Sequence, residues 1–314
     1  MFPDIPDFKT YASLFDDERN WRPGVEAILA SRGIAREGME RAAGGSNIIY
    51  FLPDGRVFKA YAPIWEDEAI VELAMMRAIN EDNTCSIQAP TIELEGVFER
   101  WRWCVMTRAP GQELERVWPE LGREARVEIT RALGDWITEL RTHDAVQRAQ
   151  LPAERADWSM TQSSLRADIS ERHARRGTPE HWVARIEAFM SSWGAIDEAT
   201  TIHADLTNEN ILARQRERGW EISAVIDYAD ALQAPTLYEI AAPLVFLCAG
   251  EPNLVSALLE ASGLDPNTPA KTLLQWVLLH RFSNLGYYIG LECVPSDCET
   301  LEDLAIALFG ERGG

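Results

Sequence analysis

Thr201-Ile202-His203-Ala204-Asp205-Leu206-Thr207-Asn208-Glu209-Asn210-Ile211-Leu212, followed downstream by Ala224-Val225-Ile226-Asp227-Tyr228-Ala229-Asp230, decides how this chain folds. Asp and Asn shape turns so often that neither carries chemical information alone. Their combination is specific: His-x-Asp, an Asn five residues beyond that Asp, then an Asp preceded by three apolar residues. Phosphoryl transfer leaves a protein little covalent work, so catalysis consists of orienting a hydroxyl and holding metal against a triphosphate. Asp205 is placed to accept or orient the hydroxyl proton, and Asn210 to reach a metal from the same loop. Asp227, at the end of an apolar strand, supplies the hard anionic oxygen that Mg²⁺ prefers.

Working outward, the amino-terminal part reads as short strands with one helix. Tyr11 to Ile34 carries apolar residues at helical spacing and predicts a helical preface that serves packing. Gly44-Gly45 then separates two strand-like runs, and Pro53-Asp54-Gly55 turns the chain into Val57-Phe58-Lys59-Ala60-Tyr61, which predicts a three-stranded meander. The loop Gly44-Gly45-Ser46-Asn47 has the composition to fold over phosphates and donate backbone N–H groups. Glu66 to Ile79 has a helical period, and Ile92-Glu93-Leu94 and Trp103-Cys104-Val105-Met106 add two strands, closing a small α+β lobe near Pro110-Gly111. Beyond that boundary the pattern is helical at Leu121 to Arg141, Pro179 to Trp193, Thr236 to Gly263 and Ala270 to Gly290. Only Ile211-Leu212-Ala213 and Ile222 to Ile226 read as strands there, around a charged turn from Arg214 to Gly219.

HADLTNENIL with VIDYADA resembles the catalytic and metal-binding loops of the aminoglycoside phosphotransferase family, where the pattern is commonly His-Gly-Asp-Leu-x-x-x-Asn-Ile-Leu with Ile-Asp-Phe or Ile-Asp-Trp. Ala204 departs from the usual Gly, which matters if the backbone there needs positive φ. The resemblance implies a bilobal, protein-kinase-like α+β fold, with a small antiparallel-sheet lobe over residues 1–108 and a larger helical lobe over 109–314 that holds the catalytic loop and the acceptor site. It implies ATP as donor, Mg²⁺ as metal, Asp205 as the catalytic carboxylate, Asn210 and Asp227 as metal ligands, and His203 as a support for the loop. Lys59 then falls where a kinase-like fold holds the α- and β-phosphates, with Glu72 as its ion-pair partner and Glu68, one turn earlier, as the alternative. Ser46 and Asn47 join the nucleotide site. Cys104 to Gly111 is similar to the family's hinge, with the Thr107 carbonyl and the Ala109 N–H on the adenine edge. Tyr11-Ala12-Ser13-Leu14 with Trp21, and Leu278 to Phe282 leading to Thr300 to Ala305, look closest to hygromycin B 7″-O-phosphotransferases.

A formal charge of −20 disfavours a nucleic-acid partner, which needs a basic surface, and favours a cationic small-molecule acceptor. Leu237 to Gly314 holds ten acidic residues against three basic ones, a local −7. Asp230, Glu239 and Glu292 are, in that order, the candidate acceptor carboxylates, with Glu239 also resembling a family position that more often stabilises the lobe; Tyr287, Tyr288 and Trp276 are candidate stacking surfaces, although aromatics at helical spacing usually belong to the core. The apolar run Ile240 to Gly250, interrupted by Pro243, is too short to span a membrane, and the acidic amino terminus has no secretory pattern, so a cytoplasmic protein is expected. Five scattered cysteines predict reduced thiols. Two further readings stand beside an aminoglycoside kinase: a metabolite kinase for an amino alcohol, sugar or hydroxylated amino acid, and a nucleotide-binding pseudokinase.

Overall fold

The structure, a computed structural model, describes residues 1–81, 84–217 and 219–313. Two short helices, α1 (Phe8–Leu14) and α2 (Arg22–Ser31), precede the sheet. They replace the single preface expected from periodicity. Asp7 caps α1 and Asp17 caps a separate 3₁₀ turn, so two local caps divide what the apolar spacing joins. Tyr11, Trp21, Val25 and Leu29 are buried against the sheet.

Five antiparallel strands follow: β1 (Glu40–Arg41), β2 (Ile48–Phe51), β3 (Arg56–Tyr61), β4 (Ile92–Phe98) and β5 (Trp101–Thr107), in the order β1-β2-β3-β5-β4. Gly55, at φ +85°, closes the β2–β3 turn and sets the register that pairs Ile49 with Lys59. The β4–β5 hairpin turns on Glu99 and Arg100, both at positive φ without a glycine between them, so the sequence carries little sign of that turn. Helix α3 (Glu66–Ile79) has the predicted bounds, with three acidic residues in its first turn and Arg77 in its last. It buries Val71, Leu73, Met75 and Met76 and packs onto the turn Tyr228–Asp230.

The remainder is mostly helical. Gln112–Glu113 (β6) joins β8 (Ile211–Arg216) and β9 (Gly219–Val225) in one small sheet, and β7 (Thr200–Ile202) pairs with β10 (Leu232–Ala234) in another. Strands β6, β7 and β10 are two or three residues long, too short to show a period. The expected charged turn is narrower than predicted. Arg214 and Arg216 continue β8 and both pair with Glu221 of β9, while Arg218 lies outside the described residues.

Two long predicted helices are broken. Thr236 to Gly263 forms Thr236–Glu239, Ala241–Phe246 and Pro252–Ala261, because Gly250 takes φ +77° and Pro252 starts a new first turn. Ala270 to Gly290 forms Ala270–Leu279 and Leu285–Tyr288, because His280 is extended and Asn284 caps the second piece. Among the described residues no helix is long and apolar enough to cross a membrane, and no disulfide joins any of the cysteines.

Candidate active site

The loop between β7 and β8 is held by side chains that bond to backbone groups. His203 is fully buried, its Nε2 lies 3.0 Å from the Ile226 carbonyl, and its Nδ1 accepts from the Asp205 N–H at 3.2 Å. That pair of contacts requires the neutral ring with the proton on Nε2, and burial pushes its pKa down to about 4. Ala204 sits at φ +64°, so the position that departs from glycine is one where the backbone is left-handed. Glu239 accepts from the His203 N–H at 2.9 Å and the Ala204 N–H at 2.7 Å, and His280 Nε2 meets the Ala204 carbonyl at 3.1 Å.

These supports present Asp205, half-buried, to the cleft. Asn210 Nδ2 donates to both the Asp205 carbonyl and its carboxylate at 2.9 Å, which leaves Asn210 Oδ1 outside that pair of bonds. Burial first, and the neighbouring Asp227 charge second, push the Asp205 carboxyl up to about 6. The Ile226 N–H donates to the Asn210 carbonyl at 3.0 Å, tying the loop to the strand end that carries Asp227. Asp227 is left-handed at φ +63°, a strain of about 1–3 kcal/mol that its contacts must hold.

Lys59 reaches this point from β3. Its Nζ lies 2.9 and 2.7 Å from the two oxygens of Glu72 on α3 and 3.0 Å from Asp227 Oδ1. Lys59 is 2% and Glu72 1% exposed. Burial opposes the Lys59 charge, yet Asp227 and Glu72 hold the ammonium above the usual lysine range. Burial likewise works against the Asp227 carboxylate, and Lys59 keeps it below the usual range. Glu72, and not Glu68, is the lysine's ion-pair partner; burial raises the half-buried Glu68 carboxyl, against the nearby charges of Arg155, Arg281 and Lys59.

Two hard oxygens, Asn210 Oδ1 and Asp227 carboxylate, with one formal charge between them, fit a Mg²⁺ that keeps several waters and completes its shell on phosphates. Among the described residues no three His, Cys, Asp or Glu side chains cluster as a metal cage.

The other expected residues occupy the cleft's rim or leave it. Ser46 is exposed in the glycine loop, where its carbonyl accepts from the Tyr11 hydroxyl at 2.7 Å, and Asn47 is buried with Oδ1 unpartnered. Thr107 ends β5 and exchanges two 2.9 Å hydrogen bonds with Thr91; Ala109 is half-exposed on the connector that follows. Gly111, at φ +114°, lets that connector lie against Ala213, where a Cβ would come within 2.7 Å of its carbonyl.

The acceptor candidates need correction. Glu239 is 1% exposed and engages the catalytic-loop backbone with both oxygens, so it braces the loop and does not face the cleft. Asp230 is paired with Arg281, which neutralises it. Glu292 is exposed, and among the described residues no contact joins it to Asp205 or Asp227. Trp276 and Tyr288 are core, leaving Tyr287 as the exposed ring. Arg155 and Arg281 were not legible as site residues, since solitary arginines carry no spacing signal.

A small antiparallel lobe with a buried Lys–Glu pair, set over a helical lobe with paired Asp205–Asn210 and Asp227, defines the class: a small-molecule kinase of two-lobed, protein-kinase-like α+β fold. The chain belongs to the phosphotransferase enzyme family, which its residues 38–274 match. Among solved structures it is similar to a GDP complex of aminoglycoside 2'-phosphotransferase-IIIa, at 16% identity over 83% of this chain and 89% of that one, TM-score 0.68. It is also similar to a putative aminoglycoside phosphotransferase from Ralstonia eutropha, at 14% identity over 91% and 94%, TM-score 0.60. A Streptomyces rimosus aminoglycoside phosphotransferase, solved with ADP and streptomycin, matches at 14% identity over 83% and 98%, TM-score 0.56. Identities this low establish the shared fold. No curated protein matches the chain.

Proposed function

We propose that this enzyme transfers the γ-phosphoryl group of ATP, with Mg²⁺, to a hydroxyl of an aminoglycoside or aminocyclitol, hygromycin B being the first acceptor to test. The observation that carries the reading is the convergence of Asp205, Asn210, Asp227 and the Lys59–Glu72 pair on one cleft. Asp205 orients the acceptor hydroxyl and takes its proton as the oxygen–phosphorus bond forms and the bond to the β-phosphate oxygen breaks. Asn210 Oδ1 and Asp227 hold Mg²⁺, which when bound neutralises charge on the phosphates. Lys59, fixed by Glu72, binds the α- and β-phosphates; the backbone at Ser46 and Asn47 covers them, and the Thr107 carbonyl and Ala109 N–H receive the adenine. Residues 1–108 thus form the nucleotide lobe and 109–314 the acceptor lobe, in a cytoplasmic protein with access to ATP.

Support for the acceptor class comes from the net charge of −20 and from solved relatives bound to kanamycin and to streptomycin. A second reading, a metabolite kinase, is favoured by the neutralised Asp230 and the buried Glu239, which remove two of the three carboxylates expected to meet a polycation. The complete Lys59, Asp205, Asn210 and Asp227 set argues against a pseudokinase.

ADP release from ATP and Mg²⁺, repeated with GTP, across aminoglycosides including hygromycin B, amino alcohols, sugars and hydroxylated amino acids tests this directly. Turnover with an aminoglycoside that Asp205→Ala abolishes is the expected result. Turnover confined to the metabolites would replace the acceptor assignment, and silence throughout with intact ATP binding would restore the pseudokinase.

A further inference from the structure

The segment that follows Asp227 is gripped from outside its own element. Arg155 Nη1, from the short helix Ala153–Ala156, donates to the Ala229 carbonyl at 2.9 Å and the Ala231 carbonyl at 3.4 Å. Arg281 Nη2, just beyond the helix Ala270–Leu279, donates to the Asp230 carbonyl at 3.2 Å and to the Asp230 carboxylate. Three consecutive carbonyls are therefore taken by two guanidinium groups from distant parts of the chain. On the other side of Asp227, the His203 ring takes the Ile226 carbonyl. Asp227 lies between these fixed points in the left-handed region, a conformation that a non-glycine residue keeps only when its surroundings impose it. Arg281 is itself anchored: its N–H donates to the Tyr238 hydroxyl at 3.1 Å, and the adjacent His280 ring holds the Ala204 carbonyl of the catalytic loop.

We propose that Arg155 and Arg281 are positioning residues that clamp residues 229–231 and so keep the Asp227 carboxylate aimed at the metal position. The proposal rests on the reading of Asp227 as a Mg²⁺ ligand. Guanidinium forks suit the task, because one planar group spans two carbonyls and stays charged. Burial lowers Arg281 only to about 10, so it remains a cation at neutral pH. The clamp also accounts for Asp230: its carboxylate fixes Arg281 and is not free to meet the acceptor.

The test is calorimetric ATP binding with Mg²⁺ titrated from zero, for the parent, Arg155→Gln, Arg281→Lys and Asp227→Asn. Arg155 is half-exposed, so its variant carries the test if Arg281→Lys fails to fold. The expected result is a Mg²⁺ midpoint raised about tenfold or more in Arg155→Gln, as for other residues that orient metal ligands, with Mg²⁺-free ATP affinity within about twofold of the parent. A parental midpoint in Arg155→Gln beside a lost one in Asp227→Asn overturns the clamp and leaves the metal assignment standing. An unchanged midpoint in Asp227→Asn overturns the metal assignment, and the clamp with it. An equal loss of ATP affinity with and without Mg²⁺ marks damage to the whole site and also overturns the clamp.

Discussion

Ala204 departs from the glycine of the motif it resembles, and its φ of +64° lies in the left-handed region that glycine adopts without strain. A left-handed alanine costs about 1–2 kcal/mol, while its buried methyl returns about 0.8 kcal/mol. Ala204→Gly is therefore expected within about 1 kcal/mol of the parent by chemical denaturation, whereas Ala204→Val, β-branched at the same φ, should lose more than about 2 kcal/mol. Equal stability for the valine variant would show that the loop does not hold this conformation. Glu239→Gln offers an amide nitrogen to one of the two backbone donors now facing carboxylate oxygens, and should cost about 1–3 kcal/mol and lower kcat more than it raises KM for ATP. A change in KM alone would place Glu239 outside the loop's support. The Asp205 proton sets a pH dependence with a defined sign. The carboxylate must be ionised to act, so kcat/KM rises with pH through its pKa. Burial first and the Asp227 charge second push that value up from the ordinary 3.8 to about 6, and a cation held beside the carboxylate would lower it. A single-proton acid limb between those values is expected, and its persistence in Asp205→Asn would contradict the assignment. Asp205, Asn210 and Asp227 were legible because one loop and one strand end fix their spacing. Glu239 resembled a family position that more often stabilises the lobe, but the two backbone donors it takes were not legible, since the contacts join residues 35 and 36 apart.

Helix α3 was legible to its bounds because apolar period, acidic first turn and basic last turn agree. Its product is the buried Lys59–Glu72 pair, whose geometry depends on β3 and α3 together. Glu72→Ala leaves Lys59 with Asp227 as its remaining carboxylate and should lose about 1–3 kcal/mol, and Lys59→Met, which leaves Glu72 buried and unpaired, should raise KM for ATP without a comparable effect on acceptor KM. Parental ATP kinetics in Lys59→Met would remove the lysine from the phosphate site. The helices after Pro235 were less legible. Apolar period runs across Gly250 and His280 and masks both the local break at Gly250 and Pro252 and a tertiary one, where His280 leaves its helix to hold the Ala204 carbonyl. The two-residue turn at Glu99 and Arg100 was hidden for a different reason: neither side chain favours the positive φ that the β4–β5 twist imposes.

Across the whole molecule, a net charge of −20 attracts cations, although Asp227 and Asp230 are already engaged by Lys59 and Arg281. Long-range attraction of this kind is screened by salt, so KM for a polycationic acceptor should rise as ionic strength increases, while KM for a neutral sugar should not. A salt-independent KM for every active acceptor would favour the metabolite reading. Bilobal architecture followed from the order of strand-like and helical patterns. The grip on residues 229–231 did not, because Arg155 and Arg281 approach it from positions 74 and 51 residues away. The measurement that tests the central claim most directly follows the γ-phosphorus of ATP by phosphorus NMR, with Mg²⁺, the enzyme and the acceptor panel. A phosphomonoester appearing on an acceptor as ADP accumulates, and absent with Asp205→Ala, is the predicted result. Release of inorganic phosphate alone, or the same ester formed by Asp205→Ala, would contradict an Asp205-centred transfer to a hydroxyl.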